Sequence, residues 1–170
     1  MIRRSMIVLA SIMAVSTAAH ANSSSFEDVM VNLHNKERSE VGSAPLKWDN
    51  DLARSAAVYA RTLAKYDRFE HDPSNRWEGE NLWMGTRSYY SFTQMVNMWS
   101  QEKLLLPRLR RWYDDTAAVG HYTQMVWKDT TRVGCAIASN REWDYLVCRY
   151  GPQGNYTGKS PYTSGGMSMP

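Results

Sequence analysis

An α+β domain is the fold class predicted by this sequence, and three observations predict it. Helical spacing of apolar residues dominates the earlier part of the chain, short aromatic or β-branched runs fill the later part, and the two do not alternate as βαβ units would. The chain carries seven Trp, ten Tyr and three Phe, a load of large apolar rings that a disordered segment does not need. No internal repeat interrupts it, and the length after a leader is set aside, about 149 residues, suits one domain with one core.

The elements follow in order. Arg3 and Arg4 precede an apolar run from Met6 to Val15, and small residues end in Ala19-His20-Ala21. That is the pattern of a cleaved leader: the apolar run is about 10 residues, against roughly 20 for a permanent span. Residues 1–21 are therefore expected to be a signal peptide, residues 22–162 the domain and residues 163–170 a flexible tail. Extracellular or periplasmic localisation is the expectation.

Ser25 with Asp28 three residues on resembles a capping box, and Phe26, Met30, Leu33 and Glu37 fall on one side of a first helix. Gly42 to Pro45 ends it. Leu46 and Trp48 are apolar anchors before Asp49 and Asn50 open a second helix. There Leu52, Ala56, Tyr59, Ala60 and Leu63 recur at helical spacing. Tyr66 to Asn75 reads as loop, and Phe92 to Leu105 as a third helix stopped by Pro107. Pro107 to Gly120 is irregular. Tyr122 to Trp127, with His121 at its start, Val133 to Ala138 and Asp144 to Tyr150 read as strands.

Charge excludes one class of partner. Without the two arginines of the leader, 18 basic residues face 17 acidic ones, a net +1, so no overall nucleic-acid footprint exists. The two cysteines, Cys135 and Cys148, are expected to pair in an oxidising compartment; two free buried thiols are the alternative. If the last two strands form a hairpin about the Ser139–Trp143 turn, the two stand opposite each other, about 5.5 Å apart at Cα.

Three histidines remain after the leader: His34, His71 and His121. His34, beside Asn35 in the first helix, reads as structural. His71, in Glu70-His71-Asp72, and His121 lie among polar groups at element ends. Glu80 sits in Gly79-Glu80-Asn81, where glycine lets backbone approach closely. Glu102 follows Trp99 by three residues, on one helix face. Spacing alone does not bring these four together.

Two longer segments do. Gly120-His121-Tyr122-Thr123-Gln124-Met125-Val126-Trp127, continued by Lys128-Asp129-Thr130, resembles the first signature of the CAP superfamily of cysteine-rich secretory proteins, antigen 5 and plant pathogenesis-related proteins. Tyr145-Leu146-Val147-Cys148-Arg149-Tyr150-Gly151-Pro152-Gln153-Gly154-Asn155-Tyr156 resembles the second. Gly79-Glu80-Asn81, His34-Asn35 and Pro45-Leu46-x-Trp48 are similar to further family elements, so the resemblance spans Phe26 to Tyr162.

The resemblance implies a three-layer α-β-α sandwich with a central, mainly antiparallel sheet. It also implies a cleft lined by His71, Glu80, Glu102 and His121, and a disulfide between Cys135 and Cys148. The family's additional cysteines are missing here, so activities of an appended cysteine-rich domain are not implied.

Two imidazoles can hold zinc or another divalent ion weakly, with carboxylates acting through water; His71 and His121 are the expected ligands. A metal-assisted, protease-like hydrolase with Glu80 or Glu102 as its acid–base group is the alternative, although no Gly-x-Ser-x-Gly or His-Glu-x-x-His motif is present. A small lipid or sterol is a third ligand class, with peripheral membrane contact. Leu105, Leu106, Arg108, Arg110, Arg111 and Trp112 form its candidate loop, against a reading in which the leucines enter the core and the arginines reach water. The chain is expected to act as a monomer.

Overall fold

The computed structural model describes residues 25–162; the expected leader and tail lie outside them. Helix α1 (Phe26–Glu40) starts at Ser25, whose hydroxyl accepts from the Asp28 amide while the Asp28 carboxylate reaches back, closing the capping box. Strand β1 (Lys47–Trp48) is short. Helix α2 (Asn50–Tyr66) is capped by the Asp49 carboxylate and buries Leu52, Ala56, Tyr59, Ala60 and Leu63, the five residues at helical spacing.

Strand β2 (Gly79–Thr86) and helix α3 (Phe92–Gln101) follow. Three single 3-10 turns come next: Glu102–Leu104, Leu106–Arg108 and Trp112–Asp114. Helix α4 (Thr116–Val126), β3 (Arg132–Ser139) and β4 (Trp143–Gly151) complete the chain.

The sheet order is β1-β3-β4-β2, with β1 parallel to β3 and the other pairs antiparallel. Alternation along the strands divides the core in two. Tyr145 and Val147 of β4 and Leu82 of β2 pack with Ala56, Tyr59, Ala60 and Leu63 of α2. Leu146, Cys148 and Tyr150, with Trp83 of β2, face a larger cluster built from α1, α3 and α4. The result is the expected α-β-α sandwich. Gly134 lets α2 lie close to β3: a Cβ there would stand 2.2 Å from the Ala53 backbone nitrogen.

Three expectations are corrected. Tyr122 to Val126, read as strand, is helical, and His121 lies within α4 rather than at a strand start. β-branched and aromatic content suggested a strand, but Val119, Tyr122, Met125 and Val126 are buried at spacings of three and four, and the Asp115 carboxylate caps the helix at the Ala118 amide. Strand β2 was not anticipated; helices on both sides of the sheet bury Leu82 and Trp83 alike, so the run lacks alternation. Helix α3 ends at Gln101, and the chain to Arg108 continues as 3-10 turns.

Cys135 and Cys148 are register partners and form a disulfide. Their Cα atoms are 4.1 Å apart, nearer than 5.5 Å because they occupy a close-pair position of the ladder. One buried cation supports the sandwich without a carboxylate. Arg38 donates to the carbonyls of Ala44, Met125, Trp127 and Thr130, satisfying the open C-terminal end of α4. Burial lowers its pKa to about 10. Among the described residues no helix is long and apolar enough to cross a membrane.

Candidate functional site

The site forms where β2 begins. By alternation, Glu80 of β2 and Arg149 of β4 lie on the α2 face of the sheet, while Asn81 and Tyr150 lie on the α4 face. A cleft of about 690 Å³ runs over this edge, and His71, Glu80, Asn81, His121, Gln124 and Asn155 are among its lining residues. Three of the four anticipated residues thus line one cavity. Glu102, the fourth, stands behind His121 at the C-cap of α3.

Each histidine is held by one glutamate. His71 Nδ1 lies 2.6 Å from Glu80 Oε1, which also accepts from the Asp72 amide at 3.1 Å. His121 Nδ1 lies 2.6 Å from Glu102 Oε1, while Glu102 Oε2 accepts from the Tyr122 amide at 3.0 Å. An ionised carboxylate only accepts, so Nδ1 carries the proton in both rings. In the neutral ring Nε2 then presents a lone pair, and neither Nε2 has a hydrogen-bond partner among the described residues. Trp99 stacks on His121 at 5.8 Å between centroids and donates to the Leu82 carbonyl, fixing the ring against the sheet.

Behind Glu80 lies a cation that the sequence reading did not single out. The Arg149 side chain is 2% exposed and reaches Asp72 Oδ2 at 2.8 Å, Glu80 Oε2 at 2.9 Å and Glu78 Oε2 at 3.4 Å. The Glu80 contact is ionic rather than a well-aligned hydrogen bond. Burial works to raise the Asp72 pKa, but hydrogen bonds from Ser74 and Arg149 outweigh it and leave it lowered. Tyr59, beneath the guanidinium, is raised to about 12, chiefly by burial and then by Glu80 and Asp72. A lone arginine inside the apolar run Tyr145–Tyr150 was the available signal, since a buried cation requires acidic partners.

On the other face, His34 is structural. Its Nδ1 donates to the Met30 carbonyl at 2.7 Å, so Nε2 accepts from the Tyr150 hydroxyl at 2.8 Å. Asn81 Nδ2 bonds both that hydroxyl and the His121 carbonyl, each at 3.0 Å, tying β2 to α4. The segment after β4 locks onto α4 as well. Asn155 exchanges bonds with Gly120 and Thr123, and the Gly154 amide donates to Gln124 Oε1. Gln124 in turn packs so closely on β2 that a Cβ at Gly79 would stand 2.2 Å from its Oε1.

The candidate lipid loop is altered. Leu106 and Trp112 are core residues, at 6% and 3% exposure, and Leu105 is half-buried against the same cluster. Trp112 Nε1 donates to the Lys159 carbonyl. Arg108, Arg110 and Arg111 are exposed, and Arg111 pairs with Asp114. The local sequence Leu-Pro-Arg-Leu-Arg-Arg admitted both readings because burial here depends on where the 3-10 turns aim each side chain.

An α-β-α sandwich with two carboxylate-held histidines over one sheet edge defines the class: a single domain built around a polar cleft. The model of the CAP family, described as the cysteine-rich secretory protein family, matches residues 31–150, and the chain belongs to that family. Among similar proteins, pathogenesis-related protein 1C of Nicotiana tabacum is 37% identical over 149 residues, covering 87% of this chain and 86% of its own. Pathogenesis-related protein 1 of Arabidopsis thaliana is 35% identical over 163 residues, covering 94% and 96%. A solved structure described as NaASP2 with Zn2+ superposes with a TM-score of 0.62 at 26% identity, covering 84% of this chain and 88% of that one.

Proposed function

We propose that this chain is an exported binding protein whose cleft takes up a divalent metal ion through Nε2 of His71 and His121. The observation that carries the reading is the pairing of each Nδ1 with a glutamate at 2.6 Å. Such a carboxylate fixes the tautomer, orients the ring and raises the basicity of the opposite nitrogen.

The donor set fits a weak site. Two imidazole nitrogens suit zinc, and among the described residues no cluster of three His, Cys, Asp or Glu side chains is arranged to hold a metal, so solvent would complete the shell. A bound ion would supply a Lewis-acidic anchor for an anionic ligand group. The zinc-containing description of the solved relative supports the same assignment. Export is supported by the family's description as secretory.

The hydrolase alternative has less support, because Glu102 uses its two oxygens on His121 and the Tyr122 amide, while Glu80 uses Oε1 on His71 and the Asp72 amide and sets Oε2 against the Arg149 guanidinium. Calorimetric titration with zinc tests the proposal. His71→Ala with His121→Ala is expected to abolish the binding isotherm at a temperature where circular dichroism shows the variant folded. Unchanged zinc affinity in the double variant overturns it.

A further inference from the structure

We propose a second ligand site, for a small multiply sulfated or phosphorylated sugar, in the groove between the C-terminal half of α2 and the β3–β4 turn. The groove measures about 480 Å³, and Arg61, Lys65, Arg87 and Arg141 line it. Arg61 and Lys65 are four residues apart on α2 and share a face. Arg87 follows the end of β2, and Arg141 sits in the turn joining β3 to β4.

None of the four makes an ion pair among the described residues, whereas Arg54, Arg68, Lys103, Arg111, Arg132 and Arg149 all do. Carboxylates near the groove are committed elsewhere. Asp67 accepts from the Tyr145 hydroxyl at 2.6 Å and from Asn140 at 2.9 Å. Asp144 is buried and accepts from the Ser139 hydroxyl and the Ser88 amide. These donors are neutral and leave both charges in place, so with Glu142, beside Arg141 in the turn, three acids face the four cations and the local excess is one positive charge.

The framework carrying these cations is fixed. Asn140 Oδ1 accepts from the amides of Glu142 and Trp143, closing the turn, and the Arg87 amide donates to the Glu142 carbonyl at 2.8 Å. The remaining lining residues, Ala64, Ala138, Ser139 and Asn140, are small or polar, so an anion can approach the backbone. Lys65 Nζ lies 4.8 Å from the Tyr66 ring, an interaction that leaves its protons open to a second partner.

Cations gathered round one shallow, open groove raise the local positive potential, and arginine forks match tetrahedral oxyanions. With a mature net charge near +1, the molecule offers little general attraction for anions, so recognition would be local. No large apolar side chain lines the groove, which leaves nothing to insert into a bilayer and favours a soluble ligand over a membrane. The site is independent of the histidine cleft: seven residues of extended chain, roughly 20 Å, separate Glu80 from Arg87.

Titration calorimetry of the mature chain with sucrose octasulfate at low salt tests this. Binding is expected, falling at least tenfold in Arg61→Ser with Arg141→Ser and falling again in 0.5 M NaCl. Lys65→Ser with Arg87→Ser gives an equivalent second reading should the first pair fold poorly. His71→Ala and the control Arg108→Ser with Arg110→Ser are expected to bind as the parent does. Absence of binding at millimolar ligand, equal affinity in the groove variants, equal loss in the arginine control, or binding to anionic vesicles alone overturns the proposal.

Discussion

Consider the substitution Arg149→Met, which keeps most of the side-chain volume and removes the charge. In the parent the guanidinium is 2% exposed and sits within 2.8 to 3.4 Å of Asp72, Glu80 and Glu78. Of the three, Glu80 is 5% exposed, Asp72 16% and Glu78 27%, so the loss falls mainly on Glu80 and Asp72. Removing one partner of a buried pair leaves uncompensated charge and costs about 3–5 kcal/mol. For a domain of this size that corresponds to a fall in Tm on the order of 10 °C.

The pH dependence separates charge from packing. The Asp72 carboxyl is held below the ordinary range in the folded protein, by hydrogen bonds from Ser74 and Arg149 that outweigh its burial. A lowered folded pKa means stability that is fully present above the unfolded value, near 3.9, and lost as pH falls through the folded value. Without Arg149 that contribution shrinks, and protonation relieves the crowded carboxylates of the variant. The stability gap between parent and variant is therefore largest near neutrality and narrows toward acid pH. Urea unfolding at a series of pH values measures it, and adding Glu80→Gln to Arg149→Met is expected to recover part of the loss. A deficit below about 1 kcal/mol at neutrality, or a gap independent of pH, refutes an electrostatic role.

Other perturbations have defined outcomes. Burial pushes His34 down to about 4 from 6.5, so its contribution is intact above 6.5 and erodes as pH falls toward 4, by roughly 3 kcal/mol when fully protonated; urea unfolding of His34→Gln should lack that part of the acid slope. Cys135→Ser with Cys148→Ser opens a loop with a sequence separation of 13, which chain entropy values at about 3 kcal/mol, read as a lower urea midpoint in non-reducing buffer. Arg108→Ser, Arg110→Ser and Arg111→Ser together are expected to leave liposome co-sedimentation unchanged, because the apolar neighbours Leu106 and Trp112 are in the core; a large loss of binding would restore the lipid loop.

Legibility in the sequence tracked how local each determinant is. Helices α1 and α2 were readable because their caps, Ser25 and Asp49, and their buried stripes lie within one segment. The disulfide was readable because a hairpin places Cys135 opposite Cys148 by counting. Helix α4 is hard to read because Tyr122, Thr123 and Val126 favour strands intrinsically; its Asp115 cap and buried stripe are local signals, and Arg38 on its last carbonyls and Asn155 on Gly120 add support from outside the segment. Strand β2 escaped notice because burial on both faces erases the alternation that would reveal it.

The site shows the same division at finer grain. His71 and Glu80 are only nine residues apart, so their pairing is a loop closing on the strand that follows it. His121 and Glu102 are joined by the meeting of two helix ends, which no periodicity encodes. The two pairs then approach from opposite faces of the sheet, and what brings them into one cleft is that β2 lies at the sheet's edge and begins there. Each pair satisfies its own hydrogen bonds without the other. The relative placement of the two imidazoles therefore rests on sheet-edge geometry held by Asn81 and Arg149, and under the proposed metal binding Asn81→Ala is expected to weaken zinc affinity in calorimetric titration by less than loss of either histidine does.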